Sequence, residues 1–406
     1  MKVLAINCGS STLRFEVIDV QSAQTPIGDE RRLATGIIDR IGSEAHLKFS
    51  GPPGNDLQET ASVYDHAEAM YRVLGWLRSY GFLDSGQIQA IGHRVVHGGD
   101  VLVEPTLIND VVIAAIEALR HLAPLHNEPS LKAIRAARAT LGTAMPMVVV
   151  FDTAFHCTMA AWASQYAIPL ELAAKHSIRR YGFHGLAHRY MTERYAAITF
   201  TPPERSKLVT LQLGNGCSAT AVMGGRSVDT SMGFTPLEGL MMGTRCGDID
   251  ASVPGFLARR EGVTVDEIEK WLNSESGLLG VSGSSRDMRD VLEAQHAGDA
   301  RASLAVEMFC HRVRRYVGAY LAVLGGADAI VFGGGIGEKA PSIRARICGG
   351  MDWCGLLLDQ ERNEAAVGRE RRISTDNARI HAYVIPVNEA AVIARDTFMC
   401  LHRNGR

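Results

Sequence analysis

The sequence predicts an α/β protein made of two similar halves, each opening on a strand, a small-residue turn and a return strand. Four apolar runs stop abruptly in small residues: "VLAINCGSSTLRF" from Val3, "MVVVFDTAFH" from Met147, "LVTLQLGNGCSATAV" from Leu208 and "AIVFGGGIGEKAPSIR" from Ala329. The first and third continue into "STLRFEVIDV" and "SATAVMGGRSVDT", which read as the second strands of hairpins and mark an internal duplication. Helical and strand patterns alternate between these landmarks, the signature of α/β layers. At 406 residues the chain is too long for one core, and ~150 residues per domain gives two or three. Two halves of this design place two phosphate-binding turns face to face across a cleft.

Taken in order, the first strand breaks at Asn7-Cys8-Gly9-Ser10-Ser11-Thr12. Two turn residues suffice for a simple reversal, whereas six small residues offer backbone N–H groups and hydroxyls to a phosphate. A Ser/Thr-rich hairpin turn is the other reading. Short alternating runs between residues 20 and 62, such as "LATGIIDRIG" and "AHLKFS", predict extra edge strands. Apolar spacing predicts helices over 67–80, 110–123, 129–142 and 300–324. The expected domains are 1–156, completed by a helix over 389–406 that packs back on it, and 157–388.

A net charge of −2 gives no global field for nucleic acid or an anionic membrane, so any anion must be gripped locally. No apolar run approaches the ~20 residues of a membrane span, and the opening residues lack a signal-peptide plan, so a cytoplasmic location is expected. The eight cysteines form no CxxC pair, which argues against a zinc site or a disulfide framework. Cys8 and Cys217 lie in glycine loops, as packing residues or as reactive thiols.

Two arginines stand in apolar, glycine-rich surroundings: Arg94 in "AIGHRVVHGGDVLVEP" and Arg245 in "GLMMGTRCGDIDASVPG". A guanidinium cannot deprotonate to escape burial, so each needs an anion. Asp100, Asp248 or Asp250 could supply it, or a carboxylate or phosphate ligand that the neighbouring glycines let approach. His184 and His188 in "RRYGFHGLAHRY" have the spacing of a helical metal pair, but Gly182 and Gly185 argue for a loop instead. Asp152 follows a strand, where open α/β sheets place ligands. Asp229 and Glu238 have no evident partner. The glycines of "VFGGGIGEKAPSIR" suit a nucleotide lying against backbone, and the absence of GxxxxGK[ST] argues against a P-loop fold.

Along nearly its whole length the chain resembles the acetate and propionate kinases of the sugar kinase, Hsp70 and actin superfamily. The resemblance rests on "NCGSSTLRF", "HRVVHGG", "APLHN", "VFDTAFH", "YGFHG", "LGNGCSATAV", "SVDTSMGFTPLEGLMMGTRCGDID", "GLLGVSG", "GGGIGE" and "VIPVNEAAVIARD", all in order. It implies two duplicated actin/Hsp70-like (ribonuclease H-like) domains with the active-site cleft between them. The implied activity is reversible, direct in-line transfer of the ATP γ-phosphoryl group to acetate, giving acetyl phosphate and ADP. Carried across residue by residue, Asn7 and Glu389 would hold Mg²⁺ (or Mn²⁺). Ser10, Thr12 and Arg14 form the first phosphate loop, and Gln212, Leu213, Gly214, Asn215 and Gly216 the second. The adenosine site would take Asp287, Met288 and Arg289, with Gly335, Ile336, Gly337, Glu338 and Lys339. Arg94 would bind the acetate carboxylate in a pocket of Val96, Leu125, Phe183 and Pro236. His184 and Arg245 would meet the phosphoryl group, with Asp152 as the acidic residue. The chain departs from the family pattern at Arg14 (usually lysine), Gln212 (histidine), Met288 (phenylalanine), Lys339 (asparagine) and in "GLAH" for "GTSH". A homodimer is implied. Propionate kinase is a sibling reading, and an ATP-gated binding protein of the Hsp70 or actin kind is one from a different class.

Overall fold

The computed structural model describes residues 1–52, 54–84, 87–121 and 124–404, with the side chains at 121, 124–126 and 404 outside that description. It divides into two units, Met1–Cys157 with Asn388–Arg406, and Thr158–Val387.

In the first unit the opening hairpin is β1 (Lys2–Cys8) and β2 (Thr12–Asp19), followed by β3 (Arg31–Asp39), β4 (Ser43–Ser50) and β5 (Leu57–Val63). After the helix His66–Ser79 come β6 (Ala90–Val95), the two-residue β7 (Thr106–Leu107) and β8 (Met147–Phe151). The sheet order is β5-β4-β3-β2-β1-β6-β8-β7, antiparallel from β1 to β5 and parallel across β1, β6 and β8. On one face Leu4, Ile6, Leu13, Phe15 and Val17 pack with Met70, Val73, Leu74, Ala133 and Ala137. On the other, Val3, Ile18 and Val20 pack with Ala394 of the C-terminal helix Glu389–Asn404. Cover on both faces explains why Val3–Ile6 reads as an unbroken apolar run. At Gly92 of β6 an added Cβ would lie 2.3 Å from Thr397 Oγ1 and 2.6 Å from Ile393 Cγ2, so only glycine lets this helix sit so close.

The second unit repeats the plan. Its hairpin is β9 (Lys207–Leu213) and β10 (Cys217–Met223), followed by β11 (Arg226–Thr230), β12 (Ala329–Gly333), β13 (Arg371–Arg372) and β14 (His381–Val384). The order β11-β10-β9-β12-β14 matches β3-β2-β1-β6-β8 strand for strand and sense for sense, with β13 added at the edge. Asp299 caps the long helix Ala300–Leu324 by accepting from Arg301 N and Ala302 N at 2.8 and 2.9 Å, and Gly325 ends it in the left-handed region at φ 63°. These signals bound the helix where its apolar spacing does.

Two helix limits differ from expectation. The segment expected to be helical over 110–123 is α-helical over Asp110–Ala118, then makes one 3₁₀ turn, Leu119–His121. The next helix is Pro124–Leu141, starting five residues before the limit at Pro129 that apolar spacing predicts. Pro129 is the sixth residue of this helix, where it gives up its own bond to the carbonyl four residues back, and the helix nevertheless runs on through it.

Candidate functional site

The first unit gathers charge at the ends of its parallel strands. Asn7 of β1 is the register partner of Arg94 on β6, and Asp152 follows β8 directly. Arg94 Nη1 donates to Asn7 Oδ1 at 2.9 Å, and Nη2 donates to the Asp152 carboxylate. Asn7 Nδ2 donates to Glu389 Oε2 at 2.5 Å, tying in the first residue of the C-terminal helix. The expected Asp100 partner is not the one Arg94 takes, because strand register delivers Asp152 instead. Arg94 Nε is buried with no hydrogen-bond partner, so the fork keeps one donor in reserve. Burial works against the charge of Arg94, but Asp152 and Glu389 more than offset it and raise the pKa. Burial raises Glu389 above the usual carboxylate range; Arg94 opposes that shift and Asp152 adds to it.

Val96 is buried two residues past Arg94, whereas the side chain of Leu125 lies outside the described residues. In the opening turn Gly9 N donates to Thr12 O at 2.8 Å, leaving Ser10 exposed and Thr12 half-buried, and Arg14 points to solvent. His66 donates through Nε2 to Gly9 O at 2.9 Å, a brace from a distant helix that no local motif announces. Burial pushes the thiols of Cys8 and Cys217 up to about 12, so both pack rather than react.

In the second unit the end of β9 and the turn into β10 carry Gln212 to Gly216, and the turn is closed by Gly214 N donating to Gly216 O at 3.1 Å. Gly243 N donates to Asn215 O at 2.9 Å, seating this turn against the segment that leads to Arg245. His184 adopts a left-handed φ of 56° just before the helix Gly185–Thr199. A Cβ at Gly216 would lie 3.4 Å from His184 Nε2 and 3.6 Å from Arg245 Nη1, so the three positions meet. Ser218 Oγ lies 2.9 Å from His184 Nδ1 and 2.7 Å from His188 Nε2, while His188 Nδ1 lies 2.8 Å from Thr210 Oγ1. Hydroxyls thus link the two histidines, and among the described residues no group of three or more His, Cys, Asp or Glu is arranged to hold a metal.

Arg245 has neither of its expected carboxylates. Asp248 accepts from the Tyr316 hydroxyl at 2.9 Å and pairs with Arg312 at 3.6 Å, and Asp250 is exposed. Arg245 Nη1 donates to Pro236 O at 3.2 Å, and burial lowers its pKa. Phe183, next to His184, is 2% exposed. Glu238, expected to lack a partner, pairs with Arg180 and accepts from the Tyr166 hydroxyl. Burial raises the pKa of Asp229, with Arg180 opposing.

Of the adenosine candidates, Asp287 caps the helix Met288–His296 and pairs with Arg289 at 2.6 Å; Met288 is buried and Arg289 is exposed. The short helix Gly334–Lys339 is held from behind. Glu338 Oε1 accepts from Gly334 N at 3.0 Å and Val387 N at 3.1 Å. Arg344, fully buried, donates to Gly337 O at 2.8 Å and to Asn363 and Ala366, and burial pushes its pKa down to about 10. Gly335 and Lys339 are exposed. Sequence reasoning missed Arg344, since a lone arginine in a helix reads as a surface residue.

The donors Asn7 Oδ1, Glu389 and Asp152 are the hard oxygens that a divalent cation takes. The buried Asp152 carboxylate and the half-buried Glu389 carboxylate both stand near the single charge of Arg94, and the set fits such an ion.

The Acetokinase family profile matches residues 2–395. The acetate kinase of Chloroherpeton thalassium is 47% identical over 415 residues, covering 99% of this chain and 100% of that one. The crystal structure of Porphyromonas gingivalis acetate kinase superposes with a TM-score of 0.89 at 38% identity, covering 98% and 99%. That of a propionate kinase from Francisella tularensis subsp. tularensis gives 0.89 at 38%, covering 97% and 98%.

Proposed function

The chain belongs to the acetokinase family, and from that premise we propose that it transfers the γ-phosphoryl group of ATP to acetate, reversibly, giving acetyl phosphate and ADP. It is a phosphotransferase with a carboxyl acceptor, on the family's duplicated actin/Hsp70-like α/β fold. The observation that carries the proposal is Arg245, a half-buried guanidinium with no carboxylate partner among the described residues, beside His184 and a glycine turn. An uncompensated cation there awaits an anion, and a phosphoryl group in transfer is one.

Acetate is ionised at neutral pH, so the attacking oxygen needs no base. What opposes reaction is repulsion between two anions. Arg94 takes the carboxylate with its spare Nε donor, while Asn7 and Asp152 fix the orientation of its fork. Asp152 is therefore an orienting group rather than a deprotonating one. Arg245 and His184 bind the oxygens of the phosphoryl group as the new O–P bond forms and the bond to ADP breaks, a step governed by positioning and charge. The family resemblance assigns Val96 and Leu125 of the first unit, and Phe183 and Pro236 of the second, to the methyl group. Ser10, Thr12 and Arg14, Gln212 to Gly216, Asp287 to Arg289 and Gly335 to Lys339 bind the nucleotide. Asn7 and Glu389 would hold Mg²⁺ or Mn²⁺, which would supply charge neutralisation to the phosphate oxygens.

The functional domains in this reading are 1–156 completed by 389–406, and 157–388. A homodimer and a cytoplasmic setting belong to it as well. Trp162, Leu170 and Leu172 stand exposed in one short stretch, and among the described residues no cysteine is in a disulfide. Among the described residues no helix is long and apolar enough to cross a membrane.

Hydroxamate trapping of the acyl phosphate, with steady-state rates on acetate, propionate and butyrate, tests the assignment. Acetate should give the highest kcat/KM. One methylene in an apolar pocket discriminates by only ~10 to 200-fold, so propionate is the second reading, and a higher kcat/KM for propionate moves the assignment there. ATP binding with no trapped acyl phosphate from any acid overturns both.

A further inference from the structure

An ionic knot that the transfer chemistry does not use holds two stretches of acceptor residues together. Arg180 Nη1 donates to the successive carbonyls of Thr230, Ser231 and Met232, each at 3.1 Å, and Nη2 donates to Glu238 Oε1 at 2.5 Å. The Tyr166 hydroxyl donates to Glu238 Oε2 and accepts from Phe234 N at 2.8 Å, and the Arg180 guanidinium stands 5.6 Å from the Tyr166 ring centre. Tyr181 N and Gly182 N both reach Gly233 O, at 3.1 and 3.3 Å. A Cβ at Gly233 would sit 1.8 Å from Glu238 Oε2 and 2.1 Å from the Tyr166 hydroxyl, so glycine makes the closeness possible.

Two short lengths of chain leave this knot. One runs from Arg180 to Phe183 and His184. The other crosses Phe234 to Pro236, whose carbonyl takes Arg245 Nη1 at 3.2 Å. Phe183 is 2% exposed, so its ring is held within the packed interior of this unit. Burial and Glu238 together raise the Tyr166 pKa, which keeps its hydroxyl protonated as a donor.

We propose that Arg180, Glu238 and Tyr166 are positioning residues that set the spacing of Phe183 and Pro236, and through it the discrimination among short carboxylates. The proposal rests on the functional reading above. A fork with five donors spans three carbonyls and a carboxylate at once, and an ammonium cannot. Removing one strand of the knot leaves the wall residues in place but lets their separation vary.

The test uses Tyr166→Phe, Glu238→Gln and Arg180→Lys in the full-length enzyme, with kcat and KM measured for acetate, propionate and ATP. Tyr166→Phe keeps the ring under the guanidinium and carries the test if the charge variants fail to fold. The KM for acetate should rise about tenfold, the effect of one lost net hydrogen bond, with the KM for ATP unchanged. The ratio of acetate to propionate kcat/KM should move towards one, whichever acid the wild type prefers. An unchanged ratio in all soluble variants, or an equal rise in KM for ATP and acetate, overturns the proposal. Failure of the functional reading shows separately, as a wild-type enzyme that phosphorylates no short carboxylate.

Discussion

A guanidinium stays charged when buried, so the groups around each buried arginine reveal its task. Arg344 is satisfied by carbonyls and an amide and serves as a strut; Arg94 is matched to carboxylates; Arg245 is left short of an anion. These differences separate two alanine variants. Arg94→Ala takes its guanidinium partner from the buried Asp152 carboxylate, and breaking such a pair removes ~3 to 5 kcal/mol. Arg245→Ala removes a cation that burial already disfavours, leaving no orphaned charge. Both should lose on the order of 10³-fold in kcat, but only Arg94→Ala should lower the urea midpoint. Equal stability losses in the two, or wild-type kcat in either, contradict these roles. The sequence marked both arginines, because glycine beside a cation in an apolar run is visible locally. It did not reveal their partners. Asp152 comes to Arg94 through the pairing of β6 with β8, and Arg312 and Tyr316 occupy Asp248, long-range facts that no window of sequence contains. His93, one residue before Arg94, shows the same limit: burial takes its pKa down to about 3 and both ring nitrogens lack partners, so it behaves as an apolar group despite its polar identity.

At the scale of elements, the first-unit cluster depends on how closely the C-terminal helix approaches β6. Glu389 reaches Asn7 because Gly92 presents no side chain to Ile393 and Thr397. Gly92→Ala should therefore cost ~1 to 3 kcal/mol by overpacking, as extra methyl groups in filled cores do. The double variant Gly92→Ala/Thr397→Ala should recover part of that loss, since the nearest atom, Thr397 Oγ1, is then gone. Urea unfolding of the four members of the cycle gives the coupling directly; simple additivity rules the contact out. Periodicity exposed the elements themselves, and caps fixed their ends where both agreed, as at Asp299 and Gly325. It places the start of Pro124–Leu141 too late, because proline marks a boundary in local sequence whereas this helix runs on through Pro129 at its sixth position. The pairing of Gly92 with one particular helix had no signal at all, for a strand glycine looks the same whatever lies above it.

For the whole molecule, the repeated strand order argues that one sheet plan was used twice, the second copy in a continuous stretch and the first in two pieces. Residues Thr158–Val387 carry their own six-stranded sheet and the long helix Ala300–Leu324, so this segment expressed alone should unfold in one cooperative transition. Residues Met1–Cys157 alone should not. Without the C-terminal helix, Val3, Ile18 and Val20 lose their cover, at ~1.5 to 3 kcal/mol for each large side chain. Set against the ~5 to 15 kcal/mol that holds a typical domain together, that loss is decisive. Coexpression of Met1–Cys157 with Asn388–Arg406 should restore a cooperative melt by far-UV circular dichroism. A sharp transition from Met1–Cys157 by itself contradicts the claim that the helix completes this sheet. The hairpin repeat in "NCGSSTLRF" and "LGNGCSATAV" announced the duplication, since each copy needs the same strand, turn and strand. What closes the first copy is a helix hundreds of residues away, and the two pieces should associate because Ile393 and Thr397 sit against Gly92 while Ala394 packs with Val3, Ile18 and Val20.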